Sequence, residues 1–123
     1  MTIEDLSRLY GACPQAGALV KVLAEPATRH IYIQGAQASA TPLLFASVAD
    51  RVAVPVVFIL PDADEAGYFY HDLTQIMGQE RVLFFPSSYR RSVRHGQRDA
   101  ANEILRTEVL GRLSSRSSGD VLY

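Results

Sequence analysis

The sequence predicts an α/β fold with three layers, in which helices cover both faces of a mostly parallel sheet. Three observations lead to this class. From residue 29 onwards, short apolar runs alternate with longer stretches of helical spacing. The run at 55–60 (PVVFIL) is apolar on both faces, as in strands buried within a parallel sheet. The run at 29–34 ends in Gly35, and a loop then leads into another apolar stretch.

Two helices are predicted before the first strand. Residues 3–10 place apolar side chains at helical spacing, with Thr2 as the cap and Gly11 as the end. Residues 14–25 form the second helix, which Pro26 stops. Both helices are expected to pack beside the sheet.

The rest of the chain is predicted to alternate strand and helix. Strands are expected at 29–34, 55–60 and 81–85, and another begins at 120–123. Between them, two predicted helices begin at the caps Thr41 and Asp62, and a third, long helix runs from Asp99 to about Leu113. Side chains expected to face inward on the last helix are Ala101, Ile104, Leu105 and Leu113.

Composition narrows the class of protein. The 123 residues are predicted to form one incomplete domain, with helices in 1–25 and an α/β core in 29–123. Because a strand begins at residue 120, we interpret the chain as an N-terminal piece of a longer protein. A single cysteine, Cys13, a net charge of −1 and the lack of a long apolar run favour a cytoplasmic protein without a membrane partner.

The loop after the first predicted strand has the layout of a phosphate loop, which suggests a sheet of the P-loop NTPase type. A working loop reads G-x-x-x-x-G-K-[ST], where the lysine meets the phosphates and the hydroxyl holds Mg²⁺. Counting from Gly35, these positions hold Ala40, Thr41 and Pro42, and the only lysine of the chain is Lys21. Residual binding of an anion by backbone amides and an ordinary turn without a ligand both stay open. We expect no catalytic residue and no cofactor for this chain.

A second candidate site is a basic loop. Four arginines and a tyrosine lie within ten residues, together with His95. Guanidinium groups suit phosphates and carboxylates, so the loop could contact DNA or an acidic protein, or be solvated only. No histidine lies at ligand spacing from another histidine or from Cys13, so no metal site is expected. The candidate contact residues are Tyr89, Arg90, Arg91, Arg94 and Arg98.

Three stretches of the chain resemble the extreme N-terminus of the bacterial transcription-repair coupling factor (Mfd), in its Bacteroidetes type. They are 64–73 (DEAGYFYHDL), 82–89 (VLFFPSSY) and 99–110 (DAANEILRTEVL). The stretch Phe-Pro-Ser-Ser-Tyr at 85–89 is the most specific part. In that family the N-terminal module is similar to the B subunit of the nucleotide excision nuclease, with a lapsed ATP site.

The resemblance implies a function that reaches beyond this chain. The full-length parent would be an ATP-dependent DNA translocase, needing ATP and Mg²⁺, that displaces stalled RNA polymerase from duplex DNA. Its N-terminal module would recruit the excision nuclease A subunit (UvrA). This chain would then be a non-catalytic scaffold lobe that partners the remainder of the polypeptide. The alternative is a nucleic-acid-binding module that uses the arginines at 90–98.

Overall fold

The structure is a computed structural model that describes residues 1–87, 99–117 and 119–123. Within these ranges the chain forms five helices and no strand. The predicted three-layer α/β fold with a mostly parallel sheet of the P-loop NTPase type is therefore wrong.

The two N-terminal helices are where the sequence predicts them. Helix α1 spans Ile3–Ala12, and its cap Thr2 exchanges hydrogen bonds with Asp5 in a complete capping box. It ends two residues later than predicted, at the Cys13 cap rather than Gly11. Helix α2 spans Pro14–Ala24 and begins with proline, which has no amide hydrogen to leave unpaired.

Three further helices follow. Helix α3 spans Ala40–Val52, α4 spans Ala63–Met77 and α5 spans Ala100–Ser114. The cap predicted for α4 is confirmed, because Asp62 accepts a hydrogen bond from the backbone amide three residues on, and Asp99 caps α5 in the same way. Gly78 ends α4 with φ at 84°, a backbone angle that favours glycine.

The predicted strands lack the hydrogen bonds that a sheet requires. Three backbone bonds join the segments: Val56 N–H to Leu122 C=O, Leu83 N–H to Tyr123 C=O, and Tyr123 N–H to the Arg81 carbonyl. Residues 29–34 make no backbone hydrogen bond to another described segment. A strand is defined by a continuous ladder with a neighbour, and these contacts are too few to form one.

The core lies where α3 and α4 meet the segments around residues 56, 82 and 123. Helices α1 and α2 pack against the other side of α3, with Ala16 fully buried. Leu73 of α4 is 1% exposed and is the largest of the fully buried side chains. An aromatic chain links Tyr123 to Phe45, Phe58 and Phe69, with ring centroids 4.7 to 4.9 Å apart.

Helix α5 stands apart from the other four helices. It contacts none of them among the described residues, and it has no buried residue. Of the side chains predicted to face inward, Ile104 is 69% and Leu113 51% exposed, Ala101 is also exposed, and Leu105 is half-buried. The inward face predicted for this helix is therefore largely wrong, because the sheet expected to cover it is absent. No helix in the described ranges is long and apolar enough to cross a bilayer.

Candidate functional site

In the loop before α3, Gly35 and Ala38 both have positive φ, at 89° and 48°. Helix α3 begins at Ala40 with Ser39 as its cap, so the predicted Thr41 cap is wrong. Thr41 is the second and Pro42 the third residue of the helix, and Pro42 is buried.

The backbone amides at this helix start are already occupied. The Ala40 N–H donates to the Gln37 carbonyl at 3.0 Å, and the Thr41 N–H donates to the Ala38 carbonyl at 3.3 Å. Pro42 has no N–H, and the Leu43 N–H donates to the Ser39 carbonyl. A helix N-terminus binds phosphate through free amides, and the first four residues of α3 leave none. The amides of residues 35–39 donate no hydrogen bond to a described residue, so residual anion binding by this loop, which the sequence left open, stays open.

A carboxylate of the chain itself lies at the start of α3. Asp72 of α4 accepts a hydrogen bond from the Ser39 hydroxyl at 2.6 Å. The N-terminus of a helix carries a partial positive charge, which a nearby carboxylate stabilises. Asp72 therefore places a negative charge beside the cap of α3. Sequence reasoning missed this contact, since Ser39 and Asp72 are 33 residues apart.

A second feature is an apolar cleft of about 560 Å³. Residues 55–63 form one wall and residues 82–87 the other, and side chains of α4 and α5 complete the lining. Leu122 and Tyr123 close one part of it. Residues of the stretches 64–73, 82–87 and 99–110 all contribute to this cleft, and the sequence alone did not bring them together.

Polar contacts hold α5 to the wall at 82–87. Arg106 donates to the Pro86 carbonyl at 3.1 Å, and its guanidinium lies 4.4 Å from the centre of the Phe85 ring. Asn102 donates to the Ser87 carbonyl at 3.3 Å. Helix α5 is therefore attached mainly through its polar side chains.

Arg81 joins α3 to the last residues of the chain. It forms an ion pair with Asp50 at 2.9 Å and donates to the Tyr123 hydroxyl at 2.8 Å. The hydrogen bond to Asp50 raises the pKa of the Arg81 guanidinium above its ordinary value. Arg81 thus links α3 to Tyr123 through its two side-chain contacts.

The remaining predicted residues belong to the basic loop. Tyr89, Arg90, Arg91, Arg94 and Arg98 lie outside the described residues, as does His95. Among the residues the structure describes, no group of histidine, cysteine, aspartate and glutamate side chains could hold a metal ion.

Comparisons with protein-family models, with curated proteins and with solved structures find no match to this chain.

Proposed function

We propose that this chain is a non-catalytic scaffold lobe of a transcription-coupled DNA repair factor. The observation that carries the non-catalytic part is the closed start of α3, where the amides of Ala40 and Thr41 are bonded internally. With Thr41 at the lysine position and Pro42 at the hydroxyl position, the loop lacks the two side chains that meet the phosphates and hold Mg²⁺ in a working P-loop.

The sequence resemblance supports the assignment to transcription-coupled repair. Its three stretches lie apart in the chain, yet all of them line the apolar cleft. An exposed apolar cleft is one of the features by which a scaffold can contact another protein. In the proposed parent, ATP hydrolysis, DNA translocation, and contacts to RNA polymerase and the excision nuclease A subunit belong to the whole polypeptide.

Exchange of modules in cells tests this proposal. We would graft residues 1–123 in place of the matching N-terminal stretch of a transcription-repair coupling factor and measure repair of ultraviolet damage on each DNA strand. The graft is expected to keep faster repair of the transcribed strand. Loss of that strand bias, with the fusion protein present at normal abundance, would refute the proposal.

A matched pair of grafts checks that the folded lobe is responsible. Leu73→Asp places a charge at a fully buried position, whereas Leu110→Asp changes a leucine that is 57% exposed. The first graft should lose the strand bias and the second should keep it.

A second candidate function is nucleic-acid binding by the basic loop. The clustering of Arg90, Arg91, Arg94 and Arg98 around one short stretch favours it. DNA binding by the isolated chain distinguishes this function from a scaffold that contacts only protein.

A further inference from the structure

Helix α5 meets the rest of the lobe along one face. The half-buried residues of α5 recur at the helix period, and the other residues of the helix are exposed. The half-buried set is Asn102, Leu105, Arg106, Val109 and Arg112. Three of the five side chains are polar, so this face buries little of the apolar surface that holds most helices in place.

The polar side chains of this face donate to the main chain of residues 80–87. The hydrogen bonds join Asn102 to the carbonyl of Ser87, Arg106 to that of Pro86 and Arg112 to that of Glu80. The partners follow in reverse order, so the helix lies antiparallel along this segment. Each bond replaces a bond to water, and its net contribution to docking is therefore small.

Helix α4 is held in a different way. Leu73 and Thr74 are buried, and α4 contacts both α1 and α3. Helix α5 has no buried residue and contacts no other helix in the described ranges. Elements with few buried apolar contacts open at a lower free energy than the whole domain. Helix α5 should therefore open before α4.

We propose that α5 is a detachable strap over the apolar cleft, which leaves the lobe as a unit while α1 to α4 stay packed. When α5 is docked, Arg106, Val109 and Leu113 line one side of the cleft. When it leaves, that side opens, and the Phe85 ring loses the guanidinium that covers it at 4.4 Å. The docking equilibrium of α5 thus sets how often the cleft is open on that side.

Native-state hydrogen exchange of the whole chain tests the proposal. A free helix of 15 residues is marginal in water, so the undocked segment also loses its helical hydrogen bonds. The amides of residues 104–113 should then exchange at least about tenfold faster than those of residues 70–77 in α4, after correction for intrinsic rates. Urea should speed exchange less steeply in α5 than in α4, because undocking exposes less surface than global unfolding. Equal rates with equal urea slopes would overturn the proposal.

Loss of one docking contact should act on α5 alone. Arg106→Ala removes the hydrogen bond to Pro86 and the contact with the Phe85 ring. Since alanine is the strongest helix former, a weaker helix would not explain faster exchange. Exchange in α5 should rise about tenfold and exchange in α4 should not change.

Glu108→Ala is the matched control, since it truncates an exposed side chain of the same helix. It should speed exchange in neither helix. Equal acceleration of α4 and α5 by Arg106→Ala, or no acceleration of α5, would contradict the strap.

Discussion

At the scale of single residues, Asp72 supplies a negative charge at the start of α3. Its carboxylate accepts from the Ser39 hydroxyl and faces the positive end of the helix. The carboxylate thus stabilises α3 in the absence of any bound anion.

Replacing this charge is expected to cost stability. Asp72→Asn should lower the free energy of unfolding by about 0.5–1 kcal/mol at low salt, because the helix N-terminus loses its compensating charge. Urea unfolding measures the difference, which should shrink in ~0.5 M salt as the charge interaction is screened. Glu108→Gln, an exposed change on α5, is the control. A loss that salt does not alter would show that the hydrogen bond, rather than the charge, matters.

The residues at the lysine and hydroxyl positions of the loop, Thr41 and Pro42, predict that the chain does not bind nucleotide. Titration calorimetry with Mg-ATP should give no saturable heat with a dissociation constant below about 100 μM, or about −5.5 kcal/mol. Thr41→Lys alone should not restore binding, because Pro42 still lacks a hydroxyl. In addition, the amides of residues 40 and 41 stay bonded to the carbonyls of Gln37 and Ala38. Saturable binding by either protein would contradict the closed geometry.

At the scale of elements, α1 is stabilised by its capping box. Asp5 accepts from the Thr2 amide at 2.9 Å and from the Thr2 hydroxyl at 3.1 Å, and it pairs with Arg8. The hydrogen bond from the Thr2 amide, followed by that from its hydroxyl, lowers the pKa of the Asp5 carboxyl below its ordinary 3.8. The first turn of α1 therefore depends on an ionised Asp5.

This capping box makes stability depend on pH in the acid range. A carboxyl whose pKa is lower in the folded state binds fewer protons there than in the unfolded state, so its contribution is complete above 3.8 and is lost as pH falls through the folded pKa. Asp5→Asn should melt below the unmodified protein at about pH 7, and the gap should close in strong acid. Glu4→Gln, which has no capping bond, should show a smaller gap. A gap that is constant with pH would contradict the role of the Asp5 charge.

The main contribution of helix α4 to the core comes from the side chain of Leu73. Leu73→Ala should lower the free energy of unfolding by about 2–5 kcal/mol, because Leu73 is 1% exposed and its loss leaves a cavity. Leu110→Ala on α5 makes the same chemical change at a 57% exposed position and should stay within about 0.5 kcal/mol of the parent. Denaturant unfolding compares the two, and equal effects would mean that α4 is not the centre of the core.

At the scale of the whole molecule, contact with DNA is the property that distinguishes the two proposed functions. The net charge of −1 provides no general attraction to nucleic acid, so any binding must come from local arginines. The basic loop would thus contact DNA, whereas the apolar cleft would contact protein.

Salt dependence distinguishes the two kinds of partner. If Arg90, Arg91, Arg94 and Arg98 each contact a phosphate, affinity for duplex DNA should fall with salt with a log–log slope of about −3.6. Changing all four to serine should abolish the binding. Changing exposed Arg8, Arg29 and Arg116 to serine instead should leave the slope unaltered. No binding at about 50 mM salt would assign the loop to a role other than DNA contact.

The sequence by itself predicted the five helices, with boundaries correct to a few residues at most. Helix hydrogen bonds join residues four apart, so caps such as Thr2 and Asp62 and the terminator Gly78 suffice to locate them. It also identifies Thr41 at the lysine position and Pro42 at the hydroxyl position of the loop, since that depends on residue types alone.

Only the tertiary structure decided the rest. The runs at 29–34, 55–60 and 81–85 have the composition of strands, but a strand needs a distant partner, and local sequence does not specify whether that partner is in place. The contact between Ser39 and Asp72 and the convergence of α4, α5 and residues 82–87 on one cleft likewise join distant parts of the chain. Such contacts arise from the packing of segments that are distant in the chain. The spacing of residue types along the sequence therefore does not predict them.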